Sequence, residues 1–182
     1  MGEPGTKELL SLDDLEAAGN LHSGRKHILS ILVENKPGVL TRIAGLFARR
    51  GFNIDTLTVG PTDDDHLSRI TLTVDGALHP IDQVTKQLHK LINVLKIRDL
   101  EPADTVTREL ALFKVTADGS QRGELMQICD IFRAKVVDVA PRFYTIEMTG
   151  GEGKVNAFLQ MLRPLGIKDI VRTGKIAIAR GM

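Results

Sequence analysis

The sequence has 182 residues, of which 42% are hydrophobic, so it can form one domain of ordinary size or two small ones with packed cores. Lysine and arginine number 24 against 23 aspartate and glutamate residues, so no broad basic surface is available to bind nucleic acid. No apolar run reaches the roughly 18 residues that cross a bilayer, and no apolar signal core opens the chain. We therefore expect a cytoplasmic protein without a membrane or nucleic-acid partner.

The first 25 residues differ from the rest of the chain. Glycine and proline interrupt a short leucine-containing stretch, and no sustained periodicity is present. We interpret residues 1–25 as a flexible or loosely docked N-terminal extension, with at most a short amphipathic helix that begins near Ser11. We assign this extension no function.

Residues 26–100 show the order strand, helix, strand, strand, helix, strand. A nearly continuous aliphatic run from His27 predicts a central strand, and an apolar stripe that ends at Gly51 predicts a helix packed on one side. In the third strand apolar residues alternate with threonine, which predicts one buried and one polar sheet face. A second helix is expected to begin at Pro80. The defining apolar positions are Val39, Ile43, Leu46 and Phe47, then Phe52 to Val59, then Ile70, Leu72 and Val74, then Ile81, Val84, Leu88, Leu91 and Ile92, and finally Leu95 and Ile97.

The same order repeats after a polar, proline-containing stretch. We interpret residues 101–108 as a linker whose last residues lead into the next strand, and residues 109–182 as a second domain. Its helices carry apolar residues at i, i+3, i+4 and i+7. Its defining positions are Leu110 to Val115, then Leu125, Ile128, Cys129 and Phe132, then Val136 to Val139 and Tyr144 to Met148, then Val155, Phe158, Leu159 and Leu162, and finally Ile170, Val171 and Ile176 to Ala179.

Two tandem ferredoxin-like domains of the α+β class explain this repeat most economically. Each is expected to have a four-stranded antiparallel sheet with two helices on one face. The other face of each sheet must be covered or stay polar, and the edge strands must be paired or protected. Both needs favour a homodimer.

The junction between the first strand and the first helix is the most informative candidate site. If Pro37 is the first helical residue, Lys36 occupies the cap and cannot accept a hydrogen bond from the free N–H groups. Gly38 allows a ligand to approach the backbone, and the helix dipole favours a negative group such as a carboxylate. Asn35 and Asn53 add amide groups of the kind that hold a zwitterion. A neutral amino acid matches these residues better than a phosphate.

A purely structural interpretation of the same residues is also open. Asn35 then caps the helix by accepting a hydrogen bond from the N–H group near Gly38, and Asn53 stabilises the turn after Gly51. Asparagine, proline and glycine are ordinary residues at helix starts, so the motif alone does not decide between the two interpretations.

Long runs of the sequence resemble one known family. The run HILSILVENKPGVLTRIAGLFARRGFNIDTLTVGPT, with LSRITLTV and QLHKLINVLKI, resembles the N-terminal ACT domain of acetolactate synthase (acetohydroxyacid synthase) regulatory subunits. RELALFKV, CDIFRAKVVDV, YTIEMTG and GKVNAFL resemble their C-terminal half. The resemblance implies a regulator of branched-chain amino acid biosynthesis that activates a catalytic large subunit. It also implies feedback inhibition, usually by valine, bound at an ACT–ACT dimer interface.

The resemblance also implies which residues bind the amino acid. The ligand motif of the family falls on Asn35, Gly38, Val39 and Leu40 of one chain and on Asn53 and Ile54 of the other. Val39, Leu40 and Ile54 would form an apolar wall for valine, leucine or isoleucine. The second domain reproduces neither asparagine, so we expect it to serve dimer and partner contacts.

We predict no catalytic, metal-binding or cofactor-binding residues in this chain. Residues 63–66, with three aspartates and a histidine, are interpreted as a solvated hairpin loop, and Cys129 as a core residue. In the resembled family, thiamin diphosphate, Mg²⁺ and FAD belong to the large subunit. The alternative hypothesis is a stand-alone ACT-type amino-acid sensor that regulates a different enzyme or gene expression.

Overall fold

A computed structural model of the chain describes residues 26–75 and 81–181. The predicted N-terminal extension and Pro80 lie outside the described residues. The strands are β1 Lys26–Glu34, β2 Ile54–Pro61, β3 Leu67–Asp75, β4 Val94–Asp99, β5 Thr105–Thr116, β6 Lys135–Val139, β7 Phe143–Gly150, β8 Ile167–Arg172 and β9 Ile176–Ala179. The α-helices are α1 Val39–Arg49, α2 Ile81–Leu88, α3 Arg122–Phe132 and α4 Glu152–Leu162, and two short 3-10 helices span Pro102–Asp104 and Arg163–Leu165.

The first domain is a four-stranded antiparallel sheet in the order β2-β3-β1-β4, with β2 and β4 at its edges. Helices α1 and α2 pack on one face, where alternate residues of β1 and β3 are fully buried. The apolar stripe that predicted α1 is the side of the helix that enters this core. The core consists of Leu29, Ile31, Val33, Val39, Ile43, Leu46, Phe47, Phe52, Ile70, Leu72, Val74, Val84 and Leu88.

Two sequence predictions in this domain are wrong at the level of single residues. Helix α2 ends at Leu88 rather than continuing through Ile92, whose side chain is 87% exposed after a turn. Leu95 was predicted on the inner face of β4, but it is 53% exposed. The pairing of β1 with β4 shifts register between Leu32 and Val33, and the extra residue of this bulge turns Leu95 outward.

The second domain repeats the plan with the order β6-β7-β5-β8, and β9 pairs separately with the first part of β5. Its core is centred on Phe113 and Phe158, whose rings meet edge to face at 5.2 Å. Beside this core, buried Glu109 on β5 is paired with Arg172 on β8 through two hydrogen bonds. The fold is therefore two tandem ferredoxin-like domains of the α+β class, as predicted.

The segment between the domains is more structured than the sequence predicted. Residues 102–104 form a 3-10 helix, and β5 begins at Thr105, so half of the predicted linker 101–108 lies in a strand. Residues 105–108 pair with β9, which is distant in sequence and supplies the backbone partners that a linker would lack.

Strand β9 and the loop before it cover the helix-free face of the first sheet. Ala177 of β9 packs with Ile28 and Leu100, and the nearby Thr71 and Thr73 are buried. The alternation in β3 predicted that this face is polar, and the sequence left open whether it is covered; in the structure it is covered. The threonines are buried because the chain folds its own C-terminal strand over them, so this face needs no second copy to cover it.

Candidate ligand-binding site

Helix α1 begins two residues later than the sequence predicted. Gly38 occupies the cap with φ of +84° and ψ of −9°, and Val39 is the first helical residue. Pro37 cannot belong to the helix because the left-handed conformation of Gly38 interrupts the helical backbone. The residue at the cap is therefore Gly38 rather than Lys36. Like lysine, glycine offers no side-chain acceptor, so the physical expectation behind the site is unchanged.

The start of α1 has no side-chain hydrogen bond from its cap residue. A helix start leaves backbone N–H groups without intrahelical acceptors, and such groups favour an anionic partner. A Cβ atom placed on Gly38 would meet no described atom within 4 Å, so the space beside this backbone is open. These two features together leave room for a ligand carboxylate at the start of α1.

The capping role considered for Asn35 is not what the structure has. The Asn35 side chain donates from Nδ2 to the carbonyl oxygen of Asp65 at 3.1 Å, and its backbone N–H donates to the carbonyl oxygen of His66 at 2.7 Å. These bonds tie the start of α1 to the hairpin loop between β2 and β3. The side-chain oxygen of Asn35 is left to face other partners.

A polar cluster beside this junction was missed from the sequence. Glu34 accepts hydrogen bonds from Asn93 and from Lys36, whose Nζ lies 3.2 Å from Oε1. These two bonds lower the pKa of the Glu34 carboxyl. Arg42 donates to the Asn93 side chain at 2.9 Å. No periodicity links residues contributed by separate elements, so the sequence carried no signal for this cluster.

The apolar candidates near α1 have different positions. Val39 is buried in the core, so its side chain is occupied by packing, whereas Leu40 is 40% exposed. Only Leu40 of this pair therefore offers apolar surface to a ligand within a single chain. The backbone N–H of Val39 already donates to the carbonyl oxygen of Lys36 at 3.3 Å.

Asn53 and Ile54 lie at the opposite end of the sheet from Asn35. Ile54 pairs with Val74 near the end of β3, whereas the residues that Asn35 contacts precede Leu67 at the start of β3. The seven residue-to-residue steps from Leu67 to Val74 separate the two groups by roughly 23 Å at the rise of a β-strand. A single chain therefore brings Asn35, Gly38, Val39 and Leu40 together but not Asn53 and Ile54.

Asn53 has a defined partner of its own. Its Nδ2 donates to Oδ1 of Asp55 at 3.0 Å, and the other carboxylate oxygen of Asp55 lies 3.3 Å from Nζ of Lys26. The turn-stabilising interpretation of Asn53 agrees with this local bond. The amide oxygen of Asn53 is not used in that bond.

The equivalent junction of the second domain provides its own acceptor. Oδ1 of Asp118 accepts the backbone N–H groups of Ser120 and Gln121 at 3.0 and 3.2 Å and the hydroxyl of Ser120 at 2.6 Å. These bonds, with that from the Ser120 hydroxyl largest, lower the pKa of the Asp118 carboxyl. The turn that leads into α3 thus has a side-chain acceptor of its own, in Asp118.

Other candidates in the described part of the chain have structural roles. Residues 62–66 form the hairpin loop between β2 and β3, and no group of three or more metal-ligating side chains is found among residues 26–75 and 81–181. Cys129 is a buried core residue as predicted, and burial raises the pKa of its thiol. No helix within these ranges is both long and apolar enough to cross a membrane.

Comparison with known proteins gives consistent results for both halves of the chain. Residues 29–96 match a family model described as an AHAS small subunit-like ACT domain, and residues 108–181 match one described as the small subunit of acetolactate synthase. A probable acetolactate synthase small subunit of Methanothermobacter thermautotrophicus is 53% identical over 156 residues, 85% of this chain and 93% of that protein.

Further relatives carry the same name. An acetolactate synthase small subunit of Mycobacterium bovis is 48% identical over 159 residues, which cover 87% of this chain and 95% of that protein. The crystal structure of the acetolactate synthase small subunit from Thermotoga maritima is similar with a TM-score of 0.81 and 42% identity. That similarity covers 87% of this chain and 99% of the crystallised one.

Proposed function

This chain belongs to the family of acetolactate synthase small subunits, and from that premise we propose that it activates a catalytic large subunit and makes it sensitive to a branched-chain amino acid. We propose valine as the effector, bound between the first domains of a homodimer by Asn35, Gly38, Val39 and Leu40 of one copy and Asn53 and Ile54 of the other. Thiamin diphosphate, Mg²⁺ and FAD are assigned by this proposal to the large subunit.

The uncapped start of α1 is the observation that carries the proposed ligand site. Gly38 combines a backbone without a side-chain cap and an open space, whereas Asp118 supplies an acceptor for the backbone N–H groups of the turn just before α3. An amino-acid carboxylate would accept hydrogen bonds from the free N–H groups of α1. The contrast between the two domains supports one amino-acid site per chain.

A two-fold pairing of β2 with its copy supports the shared composition of the site. β2 is an edge strand of the first sheet, so two copies can pair there and join their four-stranded sheets. An antiparallel pairing puts the Ile54 end of one copy beside the Pro61 end of the other. The Pro61 end adjoins the hairpin loop that Asn35 contacts, so Asn53 of the second copy would lie near Asn35.

Exposed apolar residues along β2 support the same pairing. Leu57 and Val59 are 36% and 46% exposed on the side of the sheet that carries the helices, next to Leu72 and Ile70 of β3. Pairing of two copies would remove this apolar surface from water. Together with Leu40, these side chains would supply an apolar wall for a branched aliphatic side chain.

Calorimetric titration of the purified chain with valine, leucine, isoleucine and alanine tests the site. We expect saturable binding of one branched-chain amino acid per chain and no detectable binding of alanine, which lacks the apolar branches. One methylene changes binding by about 1–3 kcal/mol, so valine should differ from leucine and isoleucine, which are one methylene larger, by roughly 10-fold or more. Absence of binding by all four would refute the proposed site.

Reconstitution with the cognate large subunit tests the regulatory role. The isolated chain should form no acetolactate, and its addition should raise the rate of the large subunit. Valine should then lower the rate of the mixture more strongly than that of the large subunit alone. An unchanged large-subunit rate on addition of this chain, with no co-elution of the two, would contradict the proposal.

A further inference from the structure

The loop between β8 and β9 lies against strand β2 of the first domain, and we call this contact the seam. It is formed by residues 173–175 on one side and residues 55–58 on the other. The hydroxyl of Thr58 donates to the carbonyl oxygen of Thr173 at 3.0 Å. The same Thr173 bonds through its hydroxyl to the backbone of Leu110 on β5, so the loop is held by the second domain while it contacts the first.

Gly174 fits closely against β2 within the seam. It has φ of +80°, and a Cβ atom placed there would lie 3.1 Å from Cβ of Thr56 and 3.2 Å from Oγ1 of Thr58. Both the backbone conformation and the close approach require glycine at this position. Thr56 is itself fixed by a 2.7 Å hydrogen bond to Thr73 of β3, so β2 cannot shift in the seam without moving its neighbours.

Charged side chains from both domains line a cavity of about 490 Å³ beside the seam. Lys26 and Asp55 form an ion pair from the first domain, and Lys175 and Glu152 form one from the second, with Nζ and Oε2 at 2.6 Å. The pKa of Glu152 is lowered although burial opposes this, because Lys175, Lys26 and Arg172 stabilise its charge. Lys26 thus acts electrostatically on a carboxylate of the other domain.

Asp55 connects this cavity to the proposed effector site. Its carboxylate accepts a hydrogen bond from Asn53 on one oxygen and pairs with Lys26 on the other. A ligand that accepts a hydrogen bond from Nδ2 of Asn53 would compete with Asp55 for that donor. Loss of the bond between Asn53 and Asp55 would also affect β2, because Asp55 belongs to this strand and Thr56 and Thr58 of the same strand lie in the seam.

We propose that the seam transmits the occupancy of the effector site to the second domain, with Gly174 and Thr58 as its positioning residues. The inference rests on the proposed function, because it assumes an effector bound at Asn53. Coupling between two sites requires an element whose arrangement both sites influence, and β2 contacts the effector site at one end and the second domain along its length. Loss of the seam should therefore separate effector binding from inhibition.

Gly174→Ala in the full chain tests the seam, and Gly166→Ala is the matched control. Gly166 also has a positive φ, of +87°, but the Cβ added there would meet only Thr116 of the second domain. With Gly174→Ala we expect valine binding by calorimetry and activation of the large subunit without valine to stay within about twofold of the unmodified chain. We expect the valine concentration that half-inhibits the reconstituted enzyme to rise by about fivefold or more, the lower range of typical allosteric coupling.

Thr58→Val provides a second route to the same result, because it removes the hydrogen bond to Thr173 with little change in shape. Thr58→Ser keeps the hydroxyl and should restore inhibition. Unchanged half-inhibition in both Gly174→Ala and Thr58→Val would overturn the inference, and so would an equal loss in Gly166→Ala. Failure of the proposed function is distinguishable, because the unmodified chain would then neither bind valine nor confer inhibition.

Discussion

Glu109 is a charged residue that the second domain buries. Its side chain is almost fully buried on β5, and Arg172 on β8 supplies two hydrogen bonds, one from Nε at 3.2 Å. Arg172 also donates to Asn156 of α4 at 3.0 Å, so one guanidinium joins a strand pair to a helix. A buried charge that loses its partner is costly, which makes this pair sensitive to mutation.

We expect Arg172→Met to destabilise the protein by about 3 kcal/mol, the lower end for a broken buried pair, because Arg172 is itself one-third exposed. Denaturant unfolding followed by circular dichroism measures this free energy. Arg108→Met, at an exposed arginine of the neighbouring strand β5, should change it by less than about 0.5 kcal/mol. The double variant Glu109→Leu with Arg172→Met should recover most of the loss. No recovery would show that the arginine acts by packing alone.

The start of helix α1 was predicted correctly in one respect and wrongly in another. The sequence identified the junction and the lack of a side-chain acceptor, and both hold although the cap is Gly38 and not Lys36. The start of the helix was misplaced because Pro37 fits the first turn of a helix equally well in sequence terms. In the structure, the positive φ of Gly38 excludes Pro37 from the helix. The sequence could not show this, because glycine adopts either sign of φ.

The helix starts of the two domains differ in how they satisfy their backbone donors. Asp118 accepts two backbone N–H groups ahead of α3, and the hydrogen bonds from Ser120 and Gln121 lower the pKa of its carboxyl. This contribution to stability is full above the ordinary carboxyl pKa of 3.8 and disappears as the pH falls through the lowered pKa.

We therefore expect Asp118→Ala to lower the melting temperature at pH 7 and the difference from the unmodified protein to shrink as the pH falls below about 4. Thermal melts at several pH values between neutral and 2.5 measure the difference. Asp138→Ala, at an exposed aspartate outside any helix, is the control and should show no such pH-dependent gap. A gap that stays constant to pH 2.5 would mean that the charge of Asp118 does not contribute.

Strand β2 is the element on which dimer formation is expected to depend. We expect Val59→Lys to weaken the dimer by at least about tenfold, because the two-fold axis brings like charges close together on a surface that must lose water. Leu95→Lys on β4, the opposite edge of the same sheet, is matched in exposure and should leave the dimer intact. Sedimentation equilibrium measures both. A dimer weakened only by Leu95→Lys would move the interface to the other edge.

The sequence predicted the buried faces of helices and strands best where one face of the element is apolar. The stripes of α1, α3 and α4 and the alternation of β7 are the surfaces that the structure buries. The errors occur where periodicity stops being a guide. The bulge that exposes Leu95 and the early end of α2 are set by pairing with β1 and by turn geometry, and these depend on residues far away in sequence.

At the scale of the whole molecule, we predict that the proposed ligand site is shared between two chains. Asn35 and Asn53 lie beside opposite ends of β3, so the proposed site would need one asparagine from each copy. Asn35→Asp and Asn53→Ala should each abolish valine binding in their own homodimer, the first by placing a negative charge beside the ligand carboxylate. In mixed dimers both changes fall in one site and the other site is intact.

Mixing the two variants under conditions that exchange subunits should therefore restore binding to about a quarter of the unmodified protein, since half the dimers are mixed and each recovers one of its two sites. Calorimetric titration of the mixture measures the recovered stoichiometry. The control is a mixture of two samples of the same variant, which should bind no valine. No recovery in the mixed sample would argue that each site is formed within one chain.

The relation between the domains was the part of the fold that the sequence did not predict. Residues 176–179 were predicted to form a strand. The packing of Ala177 with Ile28 and Leu100 of the first domain was not predicted. Alternation in β3 cannot distinguish a threonine face open to solvent from one covered by a distant strand. The proposal that two chains share the ligand site likewise rests on family resemblance, because contact between two copies leaves no periodic pattern in the sequence.

The position of β9 also has a consequence for synthesis of the chain. The first sheet has all its strands once residue 99 has been made, but β9, which helps to cover Ile28 and the buried Thr71 and Thr73, is the last strand of the second domain. On the ribosome, the first domain must wait with an open apolar and threonine-lined face while the remaining residues are added. Translation pauses within the second domain should therefore lengthen the interval in which chaperones bind the first.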